Sequence, residues 1–298
     1  MTELAPERLP GRVPGRPRGD LGPDRDPVPG RRSAPLARLR AAARQVAYGA
    51  LASFQDYRAM FTLRTWLFGW TVRLICQVLF FASLGRLVGS PSAEAYLAFG
   101  NAAILGPLGS LGVVSSTVGE RVSGTLEFLL LSRGSTFLVL ASRGLHWMAD
   151  GLLTSTIALC VVSPLLGVPL HWAALPAILA VLCLSTVSCY CLALCMTSIS
   201  VRRPGSRMYL TAGTTIVLML LAGVTTAVPD SGAAGLLARI LPLTHGLSAA
   251  RTLAAGGRLD LGAVAGEAAV AAGWGLLAWL LLTRALRHTV RTGSLSLR

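Results

Sequence analysis

The sequence predicts an all-α integral membrane protein of six transmembrane helices, with an N-terminal interfacial amphipathic helix, a short cytoplasmic amphipathic helix after the second span and an outer re-entrant helical hairpin. Three observations carry this expectation. Mean hydropathy is +0.62. Only 13% of residues are charged, against about 25% in an ordinary soluble domain. Six apolar runs are each long enough for the roughly 20 residues that one crossing needs.

Residues 1–35 are rich in Pro, Gly and Arg and show almost no apolar periodicity. Such a segment cannot bury a core and is expected to be disordered. No apolar stretch follows its charges, so a secretory signal is not expected. It reads either as a solvated tail or as one that touches anionic headgroups. Between 36 and 64 the character changes. Leu36, Leu39, Ala43, Val46, Ala50, Phe54, Tyr57 and Phe61 recur at steps of three and four, and Arg38, Arg40, Arg44, Arg58 and Arg64 supply a polar face. That is the helical period, and with a span following at once it suggests a helix lying on a membrane surface.

The expected spans are 66–88, 96–118, 137–166, 173–199, 209–228 and 263–283. Arg placement orients them. Arg121 and Arg133 follow the second span, Arg202, Arg203 and Arg207 the fourth, and Arg284, Arg287, Arg291 and Arg298 the sixth. The loops 89–95 and 167–172 contain no Arg. Both termini are therefore expected in the cytoplasm, with 65–286 as the membrane domain and 287–298 as a basic tail. Segment 229–262 carries Leu236, Leu237, Ile240, Leu241, Leu243 and Leu247, interrupted by Pro242. It reads as two short helices dipping into the outer leaflet, an arrangement tolerated where protein or water shelters the backbone.

All 27 basic residues are Arg, giving a net charge of +14. Basic loops beside apolar spans are what topology requires, so no nucleic-acid partner is expected. A P-loop needs a Lys at the phosphates, and the chain has none. Cys76, Cys160, Cys183, Cys189, Cys191 and Cys195 all fall in apolar runs without ligand spacing, so they read as small hydrophobes and no metal site is expected. No nucleophile elbow, His-x-x-x-His pair or paired carboxylates occur, and the chain is not expected to be an enzyme.

Ionisable groups inside spans are candidate functional residues. Arg73 and Arg86 are placed to snorkel to headgroups. Arg143, His146 and Asp150 follow at spacings of three and four and so share one helical face. This candidate intramembrane polar face is either an ion-pair network or the lining of a pathway entrance. Glu267, near the outer end of the sixth span, is expected to be wetted. Gly85-x-x-x-Gly89 and Gly262-x-x-x-Gly266 permit close helix approach.

Two motifs stand out. Between the second and third spans lies Glu120-Arg121-x-x-Gly124-Thr125-Leu126-Glu127-x-Leu129-Leu130. Before the last span lies Leu241-Pro242-Leu243-Thr244-His245-Gly246-Leu247-x-Ala249-x-Arg251. With the six-span plan and the N-terminal helix, they make the region 36–290 resemble an ABC-2 type transporter permease, the membrane subunit of a bacterial ATP-driven exporter.

That resemblance implies a separate ABC ATPase subunit, which would bind ATP and Mg, and a second permease copy, giving a homodimer in the plasma membrane. It implies a coupling helix at 120–130, with Glu120, Arg121 and Glu127 as polar contacts to the ATPase and Gly124 and Thr125 setting the backbone. Pro242, Leu243, Thr244, His245 and Arg251 would shape the outer hairpin rather than bind substrate. The cargo expected is lipophilic or amphipathic, and membrane lipid is the remaining partner. The alternative is a non-transporting assembly or regulatory subunit that uses the same loop to recruit a soluble partner.

Overall fold

A computed structural model describes residues 34–87, 89–126, 135–167, 170–229 and 231–292. The chain divides into two units, Met1–Leu39 and Arg40–Arg298. Of the first unit only 34–39, the opening turns of α1, is described. The described residues are helical, with no strand among them.

Eleven α-helices are described. They are α1 (Ala34–Met60), α2 (Val72–Leu87, entered through a π-helical stretch Thr65–Thr71), α3 (Pro91–Ser110), α4 (Gly112–Val122), α5 (Thr136–Arg143), α6 (Leu145–Leu165), α7 (Leu175–Ser200), α8 (Arg207–Leu221), α9 (Gly232–Ile240), α10 (Thr244–Ala254) and α11 (Leu261–Thr292). Five helical stretches are long and apolar enough to cross a membrane: Thr65–Leu87, Pro91–Val122, Thr136–Leu165, Trp172–Ser200 and Leu261–Arg287.

The second stretch, α3 continuing into α4, is the most buried, followed by α7; α2 and α11 are peripheral. α3 packs on α6, α2 and α7, and α7 packs on α11, α10 and α4. Side chains on the outer helix faces, such as Phe68, Phe80, Leu276 and Trp279, are exposed. An apolar exterior suits a lipid-facing surface, where helix association depends on close van der Waals packing rather than on expelling water.

The α3–α6 crossing shows that packing. A Cβ added at Gly151 would lie 2.6 Å from the Gly106 carbonyl oxygen, and one at Gly109 would lie 2.8 Å from Gly151 Cα. Backbone therefore meets backbone at Gly106, Gly109 and Gly151, which holds Asp150 at the centre of the helix cluster. Of the two glycine pairs noted in the sequence, Gly85 abuts Glu94 of α3 and Gly266 abuts His245, while nothing approaches Gly89.

The expected fifth span differs. α8 has 15 residues and extends about 22 Å at 1.5 Å per residue, short of the ~30 Å hydrocarbon core. It stops because Gly223 takes φ +81°. The hydroxyls of Thr225 and Thr226 then donate to the last-turn carbonyls of Met219 (2.8 Å) and Leu220 (2.6 Å), satisfying groups a helix end leaves open. The expected third span is also divided. α5 ends at Arg143 and α6 begins at Leu145, with Gly144 between them.

Helix starts follow local signals. Ser90 caps α3, its Oγ accepting from the Ala93 N–H, with Pro91 at the first helical position, as capping rules predict. Asp260 caps α11 by accepting from Gly262 N (2.9 Å) and Ala263 N (3.1 Å).

Candidate functional site

Polar groups gather at opposite ends of the α3–α4 rod. At the end bearing α1, residues 45, 49, 53 and 57 recur every fourth position and form one stripe. Gln45 exchanges hydrogen bonds with the Ser135 backbone at 3.0 and 3.3 Å. Gly49 admits Ser142, which a Cβ would overlap. Ser53 Oγ donates to the Arg143 carbonyl and is hydrogen-bonded to His146 Nδ1. With the hydroxyl proton given to Arg143, the imidazole Nδ1 is the donor in the second bond. Tyr57 donates its hydroxyl to Asp150 Oδ1 at 2.6 Å, and Trp66 Nε1 donates to the same oxygen at 2.5 Å. Burial, then the Asp150 carboxylate, pushes the Tyr57 hydroxyl above the usual tyrosine range.

The polar residues expected to share one helical face come from two helices. Arg143 belongs to α5, while His146 and Asp150 belong to α6. The three are brought together by the α1 stripe. Arg143 Nη2 lies 2.8 Å from Asp56 Oδ2 and also pairs with Glu120. Asp56 is the only acid between residues 36 and 93, a signal the sequence reading passed over.

The first motif receives a structural account over its described part. α4 ends in a left-handed turn at Gly124, φ +73°, with Ser123 N donating to Gly119 O at 2.9 Å and Gly124 N to Arg121 O at 3.2 Å. Thr125 Oγ1 donates to the Glu120 carbonyl at 3.1 Å and to its carboxylate. Arg121 donates to the Val201 carbonyl at the end of α7. The Glu120 side chain is 12% exposed and faces Arg143 inside the chain. Leu126 is buried. Glu127, Leu129 and Leu130, like Arg133, lie outside the described residues.

At the other end lie the short helices α9 and α10. Leu243 is the one non-glycine residue with positive φ, +79°, among the described residues. The Glu267 carboxylate accepts from Leu243 N at 2.9 Å and Gly246 N at 3.0 Å. Glu267 is fully buried, so the expectation of a wetted side chain is corrected. Two backbone donors with no other partner draw the carboxylate into the packing. Pro242 and Thr244 are buried. His245 Nε2 is 3.0 Å from the Arg239 carbonyl, and Trp274 Nε1 donates to the Ile240 carbonyl at 2.9 Å.

Arg251 closes the same region. Its guanidinium donates to the carbonyls of Gly223 (2.5 Å), Tyr96 (3.1 Å) and Val224 (3.3 Å) and lies 3.5 Å from the centre of the Tyr96 ring. Tyr96 donates its hydroxyl to Gly223 O at 2.8 Å. The second motif thus supplies the cation that satisfies the broken end of α8. Burial lowers the pKa of Arg251 from its ordinary value.

Elsewhere, Arg86 pairs with Glu94 at 2.7 Å, and Arg73 lies over the Trp70 ring at 5.1 Å. The six cysteines are free, and no cluster of three metal-ligating side chains occurs among the described residues. No protein-family profile matches the chain, and no curated protein matches it either.

Proposed function

We propose that the chain is the membrane subunit of an ATP-driven exporter of the ABC-2 permease kind, moving a lipophilic or amphipathic cargo across the plasma membrane. The observation that carries the reading is the junction Asp56–Arg143–Glu120. It ties the segment bearing the first motif to α1 and to the start of the third membrane stretch. A force applied at 120–126 by a soluble partner would reach α5 and α1 together through two short ion pairs. Five membrane-length helices and the apolar exterior support a membrane setting, and a cavity between α1 and α6 bordered by Phe54, Phe61, Trp66 and Leu153 supports a lipophilic cargo.

In this reading a separate ABC ATPase binds ATP and Mg, and two permease copies enclose the pathway. Arg121, Gly124, Thr125 and Glu127 present the coupling segment, whereas Glu120 transmits its movement inward. ATPase closure shifts the segment, and the spans rock to open the pathway outward.

The test is co-purification of the tagged chain from its own membranes, followed by ATPase assay in vesicles with Glu120→Arg, Arg143→Glu and the double swap. A stoichiometric P-loop ATPase is expected with wild type. Each single reversal should uncouple ATP hydrolysis from transport, and the swap should restore part of the coupling. An intact chain that brings down no ATPase refutes the reading and favours a non-transporting assembly or regulatory subunit.

A further inference from the structure

Two cavities meet at Asp150. One, of about 550 Å³, lies between α1, the π-helical entry to α2, and α6; Phe54, Tyr57, Phe61, Trp66 and Leu153 border it beside Asp150. The other, of about 360 Å³, reaches Asp150 from the α3 side, past Trp70, Gln77 and Trp147. The walls are largely aromatic and aliphatic, with Arg58 and His146 bordering the larger space, Arg73 and Gln77 the smaller, and a carboxylate between the two.

Asp150 is 7% exposed. Its Oδ1 takes both donors available to it, Tyr57 and Trp66. Its Oδ2 is buried and receives no hydrogen bond. The acid has no ion pair among the described residues, since Arg143 is engaged by Asp56 and Glu120. A buried carboxylate with an unanswered oxygen is costly unless a cation or a donor meets it. Aromatic faces around it attract the same kind of charge. Arg58 borders the larger cavity and Arg73 the smaller, but both are exposed, Arg73 lies over the Trp70 ring, and neither is ion-paired with Asp150.

We infer that Asp150 and the surrounding Tyr57, Trp66 and Phe61 form a binding site for the cationic group of a lipophilic cation. The charge would sit against Asp150 Oδ2, and the apolar body would lie in the cavity between α1 and α6. This narrows the cargo class of the exporter proposed above and rests on that reading for its transport role. The binding itself needs no ATPase.

The probe is tetraphenylphosphonium, a permanent lipophilic cation without hydrogen-bond donors, with tetraphenylborate as an anion of the same shape. The full chain in phosphatidylcholine nanodiscs is titrated, and tryptophan quenching is corrected against empty nanodiscs. Saturable binding of the cation is expected, with no competition from the anion. Asp150→Asn keeps an acceptor for Tyr57 and Trp66 but removes the charge, and it should weaken binding at least about tenfold. Should that variant fail to fold, Leu153→Lys places a competing cation on the exposed wall of the cavity and should abolish binding.

Unchanged affinity in a folded variant, or equal binding of the anion, overturns the site and leaves an apolar crevice for lipid tails. Because no ATPase enters the measurement, loss of this site and loss of the exporter reading are read separately.

Discussion

Glu267→Gln tests how the hairpin is held. The carboxylate accepts two backbone N–H groups, at 2.9 and 3.0 Å, in a fully buried position. It also holds Leu243 at φ +79°, a conformation that costs an L-residue about 1–2 kcal/mol. Gln keeps one acceptor and turns an NH₂ group toward the other N–H. One charge-assisted bond is lost, worth about 1.5–3 kcal/mol, and a buried donor is left unsatisfied. A local loss of about 2–3 kcal/mol follows, or a roughly 30- to 160-fold fall in the protection of nearby amides. Hydrogen exchange read by mass spectrometry on peptides covering 241–250 measures it, with peptides from α7 as the internal standard. Leu243→Gly in the Gln background should recover part of the loss by removing the left-handed strain. Unaltered exchange at 241–250 in a folded Glu267→Gln protein would refute the reasoning.

Three further outcomes are expected. Arg251→Lys cannot reproduce the fork that meets Gly223, Tyr96 and Val224, and should cost about 1.5–3 kcal/mol; Tyr96→Phe removes a hydroxyl that meets the Gly223 and Thr226 carbonyls and should cost about 1 kcal/mol. Thermal unfolding in detergent should rank the two in that order. Gly151→Ala drives a Cβ to 2.6 Å from the Gly106 carbonyl and should destabilise by about 1–3 kcal/mol, whereas Gly119→Ala, with nothing within 4 Å, should stabilise by roughly 0.5–1 kcal/mol; opposite signs in the same unfolding assay are the check. The raised pKa of Tyr57 means that the folded state holds this proton more tightly. Its contribution is fully present below the ordinary tyrosine value near 10 and is lost as pH rises through the folded value. The stability gap between wild type and Tyr57→Phe should be constant from pH 7 to 9 and shrink above that range in an alkaline melting series.

The helical, membrane-length character of the chain was legible because it depends on local composition. Apolar runs and a three-to-four step at 36–61 need no partner to be recognised. Helix starts at Ser90-Pro91 and Asp260 are likewise local signals. Gly124 and Gly223 mark positions where the backbone turns left-handed; the sequence reading gave Gly124 a backbone-setting role and Gly223 none. At 209–228 the apolar run was long enough to suggest a crossing. The break at Gly223 overrode it because Arg251, 28 positions away, waits to satisfy the freed carbonyls.

Local composition and spacing settle which segments are apolar and helical, where the Arg residues stand, and that no P-loop motif occurs. Tertiary structure alone decided which distant polar groups meet. Arg143 and Asp150 looked like neighbours on one helix, but the chain turns at Gly144 and each finds its partner elsewhere: Arg143 with Asp56 and Glu120, Asp150 with Tyr57 and Trp66. Glu267 looked wetted and is buried, because the donors it answers lie on a turn 21 to 24 residues earlier. Hydropathy and periodicity report a residue's own helix. The destination of a buried charge depends on donors and acceptors that other segments leave unpaired, and these come together only when the helices pack.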